Sequence, residues 1–480
     1  MLISFITIPA GCRATEKPPD KPAIPSGPSC GKRDSVYTFT SITTDPNGDG
    51  ICYRFDWGDG DTSDWTAWVV SGWPGSGTHS WSQGGTYTVK AQAKDVKELA
   101  SEWSDGHQII IAGVWSRAFG GSDDDCGSSV QQAADGGYII VGATASYGAG
   151  SYDVYLIKTD AEGNQQWFKT FGGSDDDYGF SVQPTADGGF IIAGWTESWG
   201  AGASDVYLIK TDAEGNQQWF KTFGGSDDDR AYSVQQTLDG GFIIAGWTES
   251  WGAGATDVYL IKTDADGNKQ WSRTFGGLHS DYAFSVQQAA HGGYIIVGGT
   301  DSYGAGYTDV YLIKTDAEGN QQWFKTFGGS HYDYGFSVQQ AADGGYIITG
   351  WTHSYGAGGA DLYLIKTDAD GNKQWSRTFG GSALDVGYAV AQTDDGGYII
   401  VGETDSYGAG SYDVYLIKTD AEGNQQWFKT FGGSDDDGAY SVQQTSDGGF
   451  IIAGWTESWG AGASDVYLIK TDANGNTVKP

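Results

Sequence analysis

An all-β chain is predicted, a seven-bladed β-propeller preceded by a small antiparallel β-sandwich. Three observations carry this. Gly is the commonest of the 480 residues, at 77 copies, alongside 20 Trp, 28 Tyr and 20 Phe. Aromatic side chains suit pleated, half-buried surfaces, and Gly supplies positive φ at turns. The segment DVYLIKTDAEGNQQWFKTFGG, Asp153 to Gly173, recurs in seven copies, and Trp115, Trp167, Trp219, Trp271, Trp323, Trp375 and Trp427 stand 52 residues apart without an insertion. Each copy holds four strand-like runs, and four antiparallel strands per unit of about 50 residues is the pattern of a propeller blade.

The opening segment, residues 1–12, is apolar up to Ala10-Gly11-Cys12 and then turns polar. It resembles the end of a bacterial lipoprotein signal, which implies export and lipidation of Cys12, although no basic segment precedes it and Pro9 holds a place usually taken by Leu. Residues 13–29, RATEKPPDKPAIPSGPS, have no apolar period and read as a stiff, extended tether. No run reaches the roughly 18 apolar residues of a membrane-spanning helix.

Residues 30–112 alternate with the period of strands at Val36–Thr40, Ile51–Phe55 and Thr86–Ala91, separated by Gly, Asn, Asp and Ser clusters. The run YRFDWGDG, Tyr53 to Gly60, followed by His79-Ser80-Trp81 and by GTYTV at Gly85 to Val89, resembles a PKD domain. That resemblance implies an immunoglobulin-like sandwich of an exported protein, acting as a spacer or adhesion unit beside a functional domain. Within it, Asp45, Asn47 and Asp49 place oxygen ligands on alternate positions as a calcium loop does, with Gly50 for the bend. Asp56 stands where an EF-hand has a bidentate Glu, so two readings remain, an Asx-rich hairpin turn and a weak extracellular calcium site. Cys30 and Cys52 share this domain, and a disulfide between them fits an oxidising compartment, with two unpaired buried thiols as the alternative. Cys126 sits where other copies carry Tyr178, Arg230 or Tyr282 and reads as an incidental surface thiol.

The propeller occupies residues 113–480. In the second full copy its strands are expected at Phe180–Gln183, Gly189–Thr196, Asp205–Asp212 and Gln217–Phe223, joined by two short Asp/Gly/Asn hairpin turns and the longer SWGAGAS loop. The first fragment has only the outermost strand, WSRAFGG, and the last copy lacks it, so residues 114–120 are expected to complete the last blade and close the ring. The turn TDAEGNQQW resembles the tryptophan-docking repeat of quinoprotein-like propellers, and the copies resemble the GGY-I-I-x-G repeats of large exported bacterial and archaeal proteins. The resemblance implies that each repeat Trp packs between blades.

A formal charge of −34 excludes nucleic acid and anionic membrane surfaces as partners, since both need basic patches. In a propeller the loop entering a blade and the loop between its second and third strands share one face. That face gathers Asp125, Asp177, Asp229, Asp281, Asp333, Asp385 and Asp437 with Tyr147, Trp199, Trp251, Tyr303, Tyr355, Tyr407 and Trp459. Two readings stand for these acids and for the equally repeated Asp153, Asp205, Asp257, Asp309, Asp361, Asp413 and Asp465. They coordinate calcium or sugar hydroxyls, or they accept backbone N–H groups and fix their loops. No required cofactor is indicated. GxSxG, HExxH and an adjacent Cys-Cys pair do not occur, and the His residues are scattered. Seven near-equivalent loops suit multivalent binding better than a single catalytic centre. The expectation is an exported, monomeric, non-catalytic binder of glycan or surface protein, against a polysaccharide-acting hydrolase or a structural spacer.

Overall fold

The structure, a computed structural model, describes residues 16–290 and 292–479. Cys12 and the signal-like segment lie outside the described residues. The chain divides into two compact units, Met1–Gly113 and Val114–Pro480. No helix of the described chain is long and apolar enough to cross a membrane.

The first unit is a sandwich. One sheet runs in the order Cys30–Lys32, His107–Ala112, Gly85–Asp95, Ile51–Asp56, and the other pairs Tyr37–Ser41 with Gly75–His79. Alternate residues of each strand meet in a core of Phe39, Tyr53, Phe55, Trp57, Trp81, Val89 and Ile109. The WGDG turn is tied down by the Asp59 carboxylate against His79 at 2.7 Å, and the His79 ring stacks on Trp57 at 4.9 Å. Gly58 has φ +79°, and a side chain there would lie 2.6 Å from the Thr88 nitrogen, so only Gly fits.

Strand order and local bonding bear on two expectations for this unit. Cys52 is a buried free thiol, so the Cys30–Cys52 disulfide is not formed. The reason is topological: their strands lie at opposite edges of one sheet with two strands between them. Three strand spacings of about 4.8 Å exceed the Cα separation that a disulfide spans. The Asp45 loop is an Asx turn. Asp45 Oδ1 accepts the Asn47 and Asp49 N–H groups at 2.8 and 3.1 Å, Asn47 Oδ1 accepts the Lys17 N–H at 2.9 Å, and Asp49 pairs with Lys97 at 2.9 Å. The second Asp45 oxygen, Oδ2, is buried without a hydrogen-bond partner.

The second unit is a seven-bladed propeller of four-stranded antiparallel sheets. The second blade shows the plan, with strands Asp177–Pro184, Phe190–Thr196, Asp205–Thr211 and Gln217–Phe223. The two middle strands are buried along their whole length because both faces of each blade are covered. Phe190, Ile192, Tyr207 and Ile209 pack on the first blade, while Ile191, Ala193, Val206 and Leu208 pack on the third. Hence these strands read FIIAGWT and DVYLIKT, nearly continuous apolar runs, instead of alternating. Burying each such aliphatic side chain contributes about 1.5–3 kcal/mol. The repeat Trp of the outermost strand reaches across to the next blade. Trp167 lies against Phe190, with ring centroids 6.4 Å apart, and against the turn at Gly215.

Each first strand contacts the first strands on either side of it, the seventh meeting the first, so the ring is closed. These inner strands do not pair as a sheet. Their N–H groups are instead met by side chains of the preceding blade: Val234 N–H donates to Ser181 Oγ at 3.2 Å and Gln236 N–H to Gln183 Oε1 at 3.2 Å. The same bonds cross from the seventh blade to the first, from Val130 to Ser441 and from Gln132 to Gln443. The strand Trp115–Phe119 completes the last blade, pairing antiparallel with Asp465–Thr471 from Trp115↔Lys470 to Phe119↔Val466.

Candidate binding face of the propeller

The entry loops and the loops between second and third strands interlock on one face. Ser198 Oγ donates to Asp177 Oδ2 at 2.7 Å and accepts the Asp175 N–H at 3.2 Å. Asp177 begins the first strand and is fully buried, as are Asp229, Asp281, Asp333, Asp385 and Asp437, with Asp125 1% exposed. Its Oδ2 also accepts the Gly173 N–H at 2.8 Å. In three blades a threonine hydroxyl completes the set, Thr300, Thr352 and Thr404 donating to Asp281, Asp333 and Asp385, whereas Asp125, Asp177, Asp229 and Asp437 each keep a buried Oδ1 without a partner. Asp205 folds the SWGAGAS loop back on itself by accepting the Ala201 and Gly202 N–H groups at 2.8 and 3.0 Å, and Asp153, Asp309, Asp361, Asp413 and Asp465 do the same in their copies. These repeated acids lie beneath the surface, holding the loops. The carboxylates that reach solvent are those of the variable positions before them, such as Asp123, Asp175 and Asp227.

The loop aromatics stand differently. Tyr147, Trp199, Trp251, Tyr303, Tyr355 and Tyr407 are 37–44% exposed. One side of each ring rests on the blade below. Trp199 lies 5.8 Å from Tyr207 and 5.3 Å from Phe220, and the Tyr147 hydroxyl donates to the Gly120 carbonyl at 2.8 Å. Two are partly covered by lysines, Lys269 being 5.8 Å from the Trp251 ring and Lys479 5.7 Å from the half-buried Trp459 ring. The face therefore carries a circle of held aromatic rings beside exposed carboxylates.

Nearer the axis lies a feature that periodicity alone did not mark. Every first strand has a bulge at its third and fourth residues, and the extra residue turns inward. Phe180, Tyr232, Phe284, Phe336, Tyr388 and Tyr440 occupy that place. Successive ring centroids are 4.8, 5.4, 5.0, 5.3 and 4.9 Å apart, an aromatic collar around the channel. The first blade breaks it with Ser128, and two residues earlier with Cys126. Beside Cys126 lies a cleft of about 290 Å³, lined by Asp124, Cys126, Tyr152, Tyr178, Tyr440 and Trp455, among others. Cys126 is thus half-buried in the wall of this cleft, and burial pushes its thiol up. The sequence signal is Ser128, where every other copy has an aromatic residue; at the Cys126 position the copies vary, from Tyr178 and Arg230 to Val386 and Gly438.

The opposite face is built on buried lysines. Lys158, Lys210, Lys262, Lys366, Lys418 and Lys470 each meet a turn carboxylate, Asp135, Asp187, Asp239, Asp343, Asp395 and Asp447, at 2.7–2.9 Å. In the fourth blade the sequence has His291 at the repeat position of that Asp, and Lys314 donates to the Gly292 and Thr315 carbonyls; burial lowers its ammonium. Burial would raise the Asp187 carboxyl, but the Thr185 hydroxyl, Lys210 and the Gly189 N–H outweigh it and bring it down to about 2, and Asp395 behaves alike. On the binding face, burial pushes Asp177, Asp229, Asp257 and Asp309 up despite their donors. These two groups act on stability with opposite sign. A carboxyl raised in the fold costs stability when ionised, and the cost fades as pH falls towards the ordinary value. A lowered one stabilises above the ordinary value and loses this as pH falls through about 2. Thermal melting of the propeller is therefore expected to hold or rise from neutrality down to about pH 5 and to fall steeply below about pH 4. A steady decline from pH 7 would contradict this.

Among the described residues no group of three or more His, Cys, Asp or Glu side chains is placed to hold a metal ion. Residues 24–105 match the family model of the PKD domain. The regulatory protein FlaEY of Caulobacter vibrioides is 26% identical over 178 residues, which are 32% of this chain and 18% of that protein, so the chain spans under a fifth of that relative's length. Among solved structures, the PKD domain of an M14-like peptidase from Thermoplasmatales archaeon SCGC AB-540-F20 is 38% identical, covering 20% of this chain and 98% of that one with a TM-score of 0.19. Sqt1 from Chaetomium thermophilum is 11% identical, covering 70% of this chain and 83% of that one with a TM-score of 0.41. The N-terminal unit accordingly contains a PKD domain, a module that occurs mainly in extracellular and surface proteins.

Proposed function

We propose that the chain is a non-catalytic binding protein of the cell surface or extracellular space, whose propeller recognises glycan or a surface protein. One observation carries this reading: aromatic rings fixed from below and about two-fifths exposed recur around a single face, with solvent-facing carboxylates in the adjoining entry loops of four blades, at Asp123, Asp175, Asp227 and Asp435. A flat ring held in place offers apolar area at little entropic cost, which suits the C–H face of a sugar or an apolar side chain. Carboxylates accept hydroxyl or amide hydrogens at its edge. Seven repeated loops let weak sites add through effective concentration. The PKD module fits an exported setting, and acylation of Cys12 behind the Pro-rich segment 13–29 would tether the molecule to a membrane.

A glycan array probed with and without calcium tests this reading. Binding to a glycan class is expected, and the triple variant Trp199→Ala, Trp251→Ala, Trp459→Ala is expected to lose it by tenfold or more, at about 1–2 kcal/mol per ring. Failure of the native protein to bind any glycan would remove the glycan form of the reading, and release of sugar from soluble polysaccharide would replace it with a hydrolase. Loss of binding on chelation would assign calcium to the site.

A further inference from the structure

At the join between the second and third blades the chain supplies its own cation to the binding face. Arg230, second residue of the third blade's first strand, places its guanidinium 4.3 Å from the centre of the Trp195 ring and 5.4 Å from that of Trp247. Its Nε donates to Ser204 Oγ at 3.1 Å, and its Nη2 lies 3.9 Å from Asp228 Oδ2. Glu197 feels this charge as well, which opposes the rise that burial and nearby carboxylates give its own carboxyl.

The join between the seventh and first blades rebuilds most of this surround from the same residue types, although Ala143 holds the repeat position of Trp247. Trp455, Glu457, Ser464 and Asp124 hold the repeat positions of Trp195, Glu197, Ser204 and Asp228. The position of Arg230, however, holds Cys126. What remains is the cleft of about 290 Å³ in the collar, into which Tyr152, Tyr178 and Tyr440 also face. Tyr152 donates its hydroxyl to Asp124 Oδ2 at 3.2 Å, and its ring stacks on Tyr178 with centroids 5.0 Å apart. The second join thus shows, within one molecule, what this surround holds when the cleft is filled.

We propose that the cleft at Cys126 binds one organic cation, a guanidinium or alkylammonium group presented by a ligand, in the place that Arg230 fills at the second join. Ring faces attract a cation through their quadrupole, by about 0.5–2 kcal/mol as it is desolvated. Asp124 and Glu457 supply charge, and Ser464 supplies an acceptor of the kind that Ser204 offers Arg230. The formal charge of −34 draws cations to the face as a whole. This site is separate from the rim aromatics and does not rest on glycan recognition.

Isothermal titration calorimetry of the full chain under reducing conditions, with N-acetyl-arginine amide, ethylguanidinium and tetramethylammonium as probes, tests the proposal. One site per chain is expected, weakening as ionic strength rises. Cys126→Arg, which places the chain's own cation in the cleft, is expected to weaken binding by at least about tenfold without lowering the melting temperature. Arg230→Cys is expected to open a second site and raise the stoichiometry from one to two. Binding of ethylguanidinium alongside the arginine derivative would make the charged group the sole determinant. Binding of the arginine derivative alone would make the source a polypeptide side chain. No binding of any probe, binding unchanged in Cys126→Arg, or a stoichiometry unchanged in Arg230→Cys would overturn the proposal.

Discussion

Trp115→Ala is expected to destabilise the propeller by about 3–5 kcal/mol, the cost of truncating a buried indole. Trp115 is 5% exposed and packs with Tyr138, Tyr155, Ile451 and Ala453, so it joins the last blade to the first. Its strand reaches the seventh blade from the other end of the repeat array and is held by side-by-side pairing with Asp465–Thr471, by Ser116 donating to the Val478 carbonyl at 2.7 Å, and by Thr477 donating to the Trp115 carbonyl at 3.1 Å. In every other blade the equivalent Trp strand follows its neighbour through a hairpin. Trp167→Ala removes the same side chain from such a strand and is the natural control. Equilibrium denaturation is expected to show the larger loss for Trp115→Ala, together with concentration-dependent association, because a detached strand bares the edge of Asp465–Thr471. Equal losses for the two variants, with no added association, would mean that closure rests on the inner strands alone.

Fold class was legible because one period dominates the chain. A 52-residue interval with four apolar runs leaves little choice of architecture, and the runs at Gln217–Phe223 and Asp205–Thr211 were readable almost to the residue. The alternation marks the first strand only over Phe180–Gln183, whereas the strand runs over Asp177–Pro184, because its bulge disturbs the pattern. That same bulge hid the collar, since Phe180 and its counterparts fall out of phase with the residues around them. The part played by the repeated aspartates was legible only as a choice. Sequence shows that Asp177 and Asp205 recur, but whether a carboxylate faces solvent or backbone N–H groups is decided by loops that close in three dimensions. The Cys30–Cys52 pairing failed for a related reason. Nearness in sequence and a shared domain say nothing of strand order, which places them at opposite sheet edges. The cleft at Cys126 has no clear mark in the sequence, since its position varies among the copies, and it acquires meaning once Arg230 is seen filling its counterpart.

Gly194→Ala is expected to cost about 3 kcal/mol or more, although Ala is the smallest change available. The reason is steric and not conformational. A Cβ at Gly194 would stand 1.7 Å from the carbonyl oxygen of Tyr178, a backbone atom of the paired strand, and no rotamer can relieve it. A Cβ at Gly142, Gly246, Gly298, Gly350, Gly402 or Gly454 would meet the same carbonyl in its own blade at 1.7–2.0 Å. Each lies opposite the bulge that turns a collar residue inward, so the first and second strands must approach more closely there than any side chain allows. Gly188→Ala separates this effect from ordinary glycine chemistry. Gly188 has φ +88° with open space around it, so its loss carries only the left-handed penalty of about 1–2 kcal/mol. Thermal or denaturant unfolding is expected to rank Gly194→Ala as the more damaging of the two, with the aromatic side-chain NMR shifts of Phe180 and Tyr232 moved in that variant and unmoved in Gly188→Ala. If the two cost the same and the collar shifts stay in place, the first strand has room to retreat, and the glycine of the GGY-I-I-x-G repeat serves the turn chemistry of the chain instead of the spacing of its inner strands.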